Sequence, residues 1–554
     1  MTRASLLLAT LLTLAACADS KPSNAPSAGG TLVIATNSDP KILFPPLITS
    51  VQGRQVAESI YDYLLVVGPE MKAFRDADFR PRLAESWRWA PDSLSIAFTI
   101  NPNARWHDGP RADASDVRYT WQVYTNPQLA SPTAEELSDI DSVTVADLLT
   151  AVFWYHRRSP HELLDASQMM ILPRHILEKI PMDSLREAGV RLDPVGTGRF
   201  RLRHWSRESF LEIAADTANY RGRPGLDRVI WSVAPDHQTA PAKLFGGEAD
   251  LYTPLRPEHV AELPRYPKLR LVSLPGMIYI FMGFNLHAPK SSNRAHPLFG
   301  SRQLRRALTM AVDRVSLVTN VYDTLAAVAL GPTVRAFPTT DERALRQIPF
   351  DPRRAEAVLD SLGWVRSGGD RIRKRGGKEL AFEVLVSASS QPRMRMAVLI
   401  QEQLRRIGVR MRISSMEFNT VRSRFESRDF DAILWDWQFG AIPNQVREMW
   451  GTASARKQHG LNGWGYESAA FDAAVDSAIS ATNADDAGRH YAAAYQIIID
   501  DAAAIWLYEP KTVIGLDRRI RTGPMRPDAW WLDLGSWFVP KSEQIARDRI
   551  ASGP

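Results

Sequence analysis

The sequence predicts an α/β protein that contains at least two compact bodies. The chain has 554 residues, and a single hydrophobic core stops growing at about 250 to 300 residues. Hydrophobic residues make up 45% of the chain and charged residues 23%, which supplies enough apolar material for large cores. Strand-like and helix-like periodicities alternate in the C-terminal third, whereas strand-like segments dominate the N-terminal half.

The N-terminal half is predicted to contain several strands. Thr31–Thr36 is a short β-rich apolar run, and apolar residues alternate with small or polar ones over residues 94–100. A turn is expected at residues 106–109. Two further strand-like runs, 199–205 and 210–214, are separated by a polar break and predict a hairpin.

Helical spacing begins at Ser301. Apolar residues recur at intervals of three and four from there to Val315, which predicts one amphipathic helix. A second helix is predicted to start at Asp351, which can cap it, and to end at Gly363, which tolerates a left-handed backbone.

A strand-helix-strand unit follows. Residues 381–386 predict a strand, 396–407 a helical stripe, and 409–413 another strand, which favours a parallel pair joined by a right-handed crossover. Strands are also predicted at 431–437 and 505–508, and a helix at 486–499.

The charge distribution argues against nucleic acid as a partner. The 68 basic and 62 acidic residues leave a net charge of only +6. These residues are spread along the chain without the Lys/Arg block that follows a phosphate backbone.

The only cysteine, Cys17, stands at the end of an export signal. Arg3 supplies the positive charge, and residues 6–14 form an apolar stretch too short to span the bilayer. The run Leu-Ala-Ala-Cys resembles the bacterial lipobox, so residues 1–17 are interpreted as a lipoprotein signal peptide and residues 18–30 as a flexible tether. We therefore expect an exported protein that is anchored to a membrane by lipidated Cys17, on the periplasmic or envelope face. The alternative is an ordinary signal peptide that is cleaved nearby.

Residues 81–121 contain three short motifs in order, Leu-Ala-Glu-Ser-Trp, Trp-His-Asp-Gly and Ala-Ser-Asp-Val. This stretch resembles the signature region of the extracellular solute-binding proteins of oligopeptide, dipeptide and nickel ABC importers, known as solute-binding protein family 5. Further matches occur at 194–198, 219–222, 284–286 and 304–314. The resemblance covers the chain from about Thr31 to its end.

The resemblance implies a periplasmic-binding-protein-like fold with two α/β lobes and an extra, mainly β-containing domain attached to the first lobe. Lobe I would comprise residues 31–46, 181–283 and 509–554, the extra domain 47–180, and lobe II 284–508. A peptide or other small molecule would bind between the lobes and pass to the permease subunits of an ABC importer. We expect a monomer that binds no cofactor and no metal and that closes by a hinge.

One segment of this resemblance departs from the peptide-binding pattern. In peptide-binding members, the region that aligns with residues 435–444 carries an aromatic residue and then an aspartate that pairs with the peptide's amino terminus. This chain keeps Trp437 but has Gly440 where the acid is usual, and Asp436 is expected to point to the opposite face of the strand. The ligand class therefore stays open among a peptide, a glycan, an opine-like compound and a metal chelate.

The candidate ligand contacts combine aromatic walls, a few hydrogen-bonding groups and one carboxylate-binding arginine. They are Tyr61, Asp62, Arg393, Trp435, Trp437, Gln438, Phe439, Gly440, Asn462 and Trp464. The alternative for the aromatic residues is packing in a core, and the alternative for Arg393 is an ordinary surface position.

Two other functions compete with ligand capture. The sequence contains no nucleophile elbow, no His-Glu-x-x-His metal motif and no thiol nucleophile apart from the predicted lipidated Cys17. The alternative that stays open is an exported hydrolase whose Ser, His and Asp come together from distant parts of the chain. A ligand-sensing lipoprotein or a chaperone could use the same fold, because a fold does not fix a function.

Replacing the lipobox cysteine tests the anchor. We expect Cys17→Ser to release the protein from membranes, since the acylated side chain is lost, as measured by fractionation of cells and immunoblotting. Continued membrane retention of the variant would contradict acylation at Cys17.

Overall fold

The computed structural model describes residues 29–158, 160–236, 238–291, 294–366, 369 and 371–549. The predicted signal peptide, Cys17 and most of the predicted tether lie outside the described residues. Within those residues, no helix combines the length and the apolar composition that crossing a membrane requires.

The first body is built on a seven-stranded sheet that collects strands from three distant parts of the chain. Thr31–Thr36 lies near its centre and pairs in parallel with Arg228–Val233, which in turn pairs with the predicted hairpin. In spatial order the strands are Leu269–Leu274, Thr512–Asp517, Leu251–Tyr252, Thr31–Thr36, Arg228–Val233, Phe210–Ala215 and Phe200–Ser206.

A four-stranded antiparallel sheet is attached to the first body. Its inward residues share one continuous hydrophobic core with the seven-stranded sheet. Trp231 of the large sheet also donates a hydrogen bond of 3.0 Å to Gln55. The strands are Ala84–Trp89, Ser95–Ile100, Thr150–Tyr155 and Ile140–Val145, and a two-stranded pair, Leu65–Val67 and Phe79–Pro81, lies beside them.

The second body is built on a six-stranded mixed sheet with hydrophobic cores on both faces. The predicted strand-helix-strand unit is confirmed, because Ala381–Ser387 and Arg410–Met416 pair in parallel and Gln391–Arg406 is the helix between them. The spatial order is Ala326–Val328, Ala504–Pro510, Ile278–Phe284, Ala432–Gln438, Ala381–Ser387 and Arg410–Met416, and a small pair, Lys374–Arg375 and Lys378–Glu379, lies apart.

Helices cover the sheets of both bodies. Those up to residue 262 are Val51–Ile60, Ala114–Tyr124, Glu162–Ala166, Arg174–Leu177, Leu185–Gly189, Thr239–Phe245 and Pro257–Glu262. Those of the second body are Arg302–Met310, Arg314–Tyr322, Pro352–Ser361, Gln391–Arg406, Phe418–Glu426, Val446–Trp450, Thr452–Arg456, Ala469–Ile479 and Ala484–Asp500.

Local capping explains where two of these helices begin. Asp351 accepts a hydrogen bond from the backbone of Arg354 at 2.9 Å, as its predicted capping role requires. The prediction of a single helix from Ser301 to Val315 is wrong, because the first helix ends at Met310. Asp313 caps a new helix there by accepting from the backbone of Ser316 at 3.1 Å.

The chain passes between the bodies at two places that touch each other. It leaves the first sheet after Leu274 and enters the second at Ile278, and it returns between Pro510 and Thr512. Strand Ile278–Phe284 therefore belongs to the second sheet, whereas the predicted boundary placed it almost wholly in lobe I. A Cβ on Gly276 would lie 1.9 Å from the carbonyl oxygen of Pro510, so only glycine permits this approach. The remaining lobe boundaries stay a prediction.

A buried ion-pair network joins the remote ends of the chain within the first body. Asp250, without accessible surface, accepts hydrogen bonds from Arg519 at 2.7 Å and from the backbone of Val33 at 2.9 Å, and also pairs with Arg547. Arg519 also pairs with buried Asp548 at 2.6 Å. Strands that are hundreds of residues apart in sequence are thereby held to one sheet.

Neutralising the centre of this network is expected to destabilise the first body. Asp250→Asn should lower the free energy of unfolding by about 3 to 5 kcal/mol, because it leaves buried guanidinium charge uncompensated. Denaturation by urea, followed by circular dichroism, measures the effect. Glu187→Gln, at an exposed pair with Arg191, is the control and should change stability by less than about 0.5 kcal/mol. Equal effects of the two substitutions would contradict the prediction.

Candidate functional site

A cavity of about 430 Å³ lies between the first body, with its attached domain, and a loop of the second body. This volume falls within the range of about 300 to 1,000 Å³ that is typical of small-molecule sites. The second body contributes Gly440, Ala441, Ile442, Asn444 and Gln445, and residues within 45–170 and 526–532 supply the other walls.

Glu58, on helix Val51–Ile60, is a charged lining residue whose side chain is only 2% exposed. Its carboxylate accepts hydrogen bonds from Arg54 at 2.9 Å, from the Tyr63 hydroxyl at 2.9 Å and from the Trp531 indole at 2.7 Å. Arg54 stands one helical turn before Glu58, so the two side chains meet on one face of the helix. The carboxylate of Glu58 raises the pKa of Arg54 further, which keeps this guanidinium charged.

A second ion pair lines the cavity near the C-terminus. Arg526 donates to Asp528 in a two-pronged pair, with its Nε 2.9 Å from one carboxylate oxygen. The same guanidinium donates to the carbonyl oxygen of Val67 at 2.5 Å. Both arginines of the cavity are therefore already engaged by neighbouring carboxylates.

Two further carboxylates, Glu136 and Asp165, line the attached domain's side of the cavity. Glu136 lies in the short turn Ala134–Leu137 and is exposed, whereas Asp165 lies in helix Glu162–Ala166 and is partly buried. Burial raises the pKa of Asp165 well above its usual range, and the neighbouring carboxylates of Asp139, Glu162 and Glu136 add to this shift.

The loop at residues 440–445 follows strand Ala432–Gln438 and covers the cavity. It is stiffened internally, since Gly440 donates its backbone N–H to Gln445 at 3.1 Å, and externally, since Tyr491 donates to Asn444 at 2.7 Å. Ala441 and Ile442 pack against the core of the first body.

Other contacts hold the bodies together around the cavity. Met71 lies on the loop that precedes strand Phe79–Pro81, beside the first body. Its side chain packs into a core of the second body. His161 contacts the carbonyl oxygen of Ile479 at 2.7 Å through its Nε2, and Lys457 lies 3.4 Å from Glu135. The two bodies are therefore in contact around the cavity, which keeps an opening to solvent on the side of Glu136.

Of the ten predicted ligand contacts, only Gly440 lines this cavity. Tyr61 and Asp62 instead lie at a separate polar crevice of about 30 Å³. Asp62 is buried there, and it accepts hydrogen bonds from Tyr220 at 2.9 Å and from Thr197 at 3.1 Å and pairs with Arg221. These bonds give Asp62 a structural role within the first body.

Three of the predicted aromatic and amide contacts are packed into the second body. Trp464 has no accessible surface and lies between Phe425 and Trp450, at ring-centroid distances of 4.9 and 5.9 Å. Phe439 is buried in the same core. The buried amide of Asn462 bonds to backbone groups on both sides of its loop, so it has no group left for a ligand.

Along strand residues 435–438, Trp435 is buried in the same core, and exposure rises from Asp436 to Gln438. Trp435 and Trp437 contact each other at 5.9 Å, and Trp437 is partly exposed although its indole N–H has no acceptor among the described residues. Gln438 is exposed at the strand end. Arg393 pairs with Asp436, so a ligand carboxylate would have to compete with that residue for the guanidinium. Ligand contact by Trp437 and Arg393 stays a prediction.

The charged residues that line the cavity were not predicted from the sequence. They are Arg54, Glu58, Glu136, Asp165, Arg526 and Asp528. They come from four separate segments, and only the spacing of Arg54 and Glu58 by four residues is a signal visible in sequence. Among the described residues, no group of three or more His, Cys, Asp or Glu side chains is arranged to hold a metal ion.

Comparison with known proteins gives concordant matches. The profile of the bacterial extracellular solute-binding proteins, family 5, matches residues 78–457. The oligopeptide-binding protein AppA of Bacillus subtilis is 25% identical over 553 residues, which cover 97% of this chain and 98% of AppA.

Solved structures show the same fold. AppA in complex with a nonapeptide superposes with a TM-score of 0.76 at 24% identity and covers 93% of this chain and all of AppA. NikZ from Campylobacter jejuni in complex with Ni(L-His) gives 0.76 at 22% identity, covering 92% of this chain and 99% of NikZ. The predicted fold class, two α/β bodies with an attached domain that is mainly β, is thereby confirmed.

The covering loop is predicted to control closure. Ile442→Asp should shift the equilibrium between closed and open forms about tenfold toward open, because it removes about 1 to 2 kcal/mol of apolar contact across the bodies. The radius of gyration from small-angle X-ray scattering should rise while the melting temperature stays close to that of the unmodified protein. Val398→Asp, on an exposed helical position of the second body, is the control, and a radius unchanged in both variants would refute this role of the loop.

Proposed function

Because the chain belongs to family 5 of the bacterial extracellular solute-binding proteins, we propose that it captures a peptide in the cavity between its bodies. It then delivers that peptide to the permease of an ABC importer. The observation that carries the proposal is the cavity of about 430 Å³ between the bodies, whose lining comes from both bodies and includes charges of both signs.

The chemistry of the cavity suits a peptide. A peptide presents amide groups, apolar side chains and separated charges, and the walls combine carboxylates, guanidinium groups, amides and apolar surface. The similarity to AppA, an oligopeptide-binding protein, extends over 97% of this chain and supports the same ligand class. Two other ligand classes compete with a peptide. One is a nickel chelate, because NikZ is known in complex with Ni(L-His), and the other is heme, because heme-binding protein A of Haemophilus influenzae is also similar to this chain.

The cellular setting completes the proposal. Members of this family are extracytoplasmic. We propose that lipidated Cys17 holds this protein at the membrane and that the folded part, both bodies together, acts as a monomer. Capture is by binding alone, without chemical change of the ligand. A peptide incubated with the protein should therefore be recovered intact, and cleaved products would indicate a hydrolase.

Titration calorimetry with peptide mixtures of defined length tests peptide capture. We expect one peptide per protein and a rise in melting temperature. A ligand at 100 times its Kd contributes about 2.7 kcal/mol to folding stability. Thr133→Trp, which fills part of the cavity from its wall, should weaken binding without lowering stability. Binding of nickel chelate or heme in place of every peptide would overturn the proposed ligand class.

A further inference from the structure

The cavity carries an unbalanced set of charges. Its lining includes two arginines and four carboxylates, which amounts to a net charge of −2 when all are ionised. A closed site that holds unpaired charge is unfavourable unless a ligand or water compensates for it. The excess of negative charge in the lining therefore favours a ligand that carries positive charge.

Both cations of the lining are satisfied within the protein. Arg54 gives its Nε and one terminal nitrogen to Glu58, at 3.1 and 2.9 Å. Arg526 is held by Asp528 and by the carbonyl oxygen of Val67. A ligand carboxylate would have to displace these partners before it could use either guanidinium.

The two remaining carboxylates feel nearby cations only through space, since the charge of Arg54 acts to lower the pKa of Glu136 and that of Arg157 acts to lower the pKa of Asp165. In the part of the chain that the structure describes, no side chain forms an ion pair or a hydrogen bond with the carboxylate of Asp165 or of Glu136. Gln168, one helical turn from Leu164, donates its amide N–H to the carbonyl oxygen of that residue at 3.2 Å, which leaves its own carbonyl oxygen as a further acceptor on this wall. This side of the cavity thus offers acceptors.

The opposite wall brings no compensating cation. The covering loop contributes Gly440, Ala441, Ile442, Asn444 and Gln445, none of which is charged. The second body therefore supplies no charged side chain to the lining that faces Asp165. Burial already raises the pKa of that carboxyl group, and an entering cation would restore its ionised form.

We propose that this cavity selects peptides that carry a cationic group, which pairs with Asp165 and Glu136. The inference rests on the proposed peptide-binding function and adds its charge preference. The cation is an ammonium or guanidinium group, from either the peptide's amino terminus or a Lys or Arg side chain.

Four tripeptide amides separate the possible sources of the cation in a calorimetric titration of the full-length protein. The probes are acetyl-Ala-Ala-Ala, acetyl-Ala-Lys-Ala, acetyl-Ala-Glu-Ala and Ala-Ala-Ala with a free amine. We expect at least one cationic probe to bind tenfold or more tightly than the neutral probe, and the acidic probe to bind most weakly. Preference for the lysine probe or for the free-amine probe identifies the source.

Variants connect this preference to the named carboxylates. Asp165→Asn should lower the affinity for the preferred cationic probe tenfold or more, and should lower it by a larger factor than the affinity for the neutral probe. Asp141→Asn, an exposed carboxylate of the same attached domain, makes the same change in net charge and should leave both affinities unchanged. The melting temperature of Asp165→Asn without peptide should be equal or higher, because burial disfavours the native charge, whereas a purely structural carboxylate would give a lower one.

The outcomes distinguish the two proposals. Equal affinities for neutral and cationic probes, unaffected by Asp165→Asn, would overturn the charge preference and leave peptide capture standing. Failure of all four probes and of the peptide mixtures to bind would overturn both.

Discussion

The structure depends on a double connection between its two bodies at which the chain segments touch. The second body is one continuous segment that enters after Leu274 and leaves at Pro510, and Gly276 lies directly against the Pro510 carbonyl. Any opening of the bodies must therefore turn about this pair of segments, which is the geometry of a hinge. The buried network around Asp250 stabilises the first body next to these segments, since it holds the first and last strands of that body in one sheet.

The cavity follows from this arrangement. Its charged walls belong to the first body and the attached domain, and its cover is a neutral loop of the second body. In the proposed function, the first body and its attached domain would supply recognition by charge, and the second body would supply the cover. Binding energy and closure are coupled, because a ligand that pairs with the walls also stabilises the form in which the loop at residues 440–445 lies over it.

Much of the fold could be predicted from local patterns, because periodicity reports which face of an element is buried. The parallel pair at residues 381–416 and the capped helix that begins after Asp351 are of this kind. The break after Met310 was not predicted, because apolar spacing continues across it and hides the capping role of Asp313. The site was harder to predict, since an aromatic residue such as Trp464 has the same appearance in sequence whether it faces a cleft or a core. Carboxylates such as Asp165 meet the cavity only through tertiary packing, which no local spacing encodes.

Capture between two bodies that close is the central claim, and a distance across the cleft tests it most directly. Spin labels at Leu148 of the attached domain and Val398 of the second body, both exposed, in protein with Cys17 replaced by serine, would report the separation by pulsed electron paramagnetic resonance. The account predicts a single narrow, short distance with bound peptide, and additional longer distances without it. An identical distribution in the two states would contradict capture by closure.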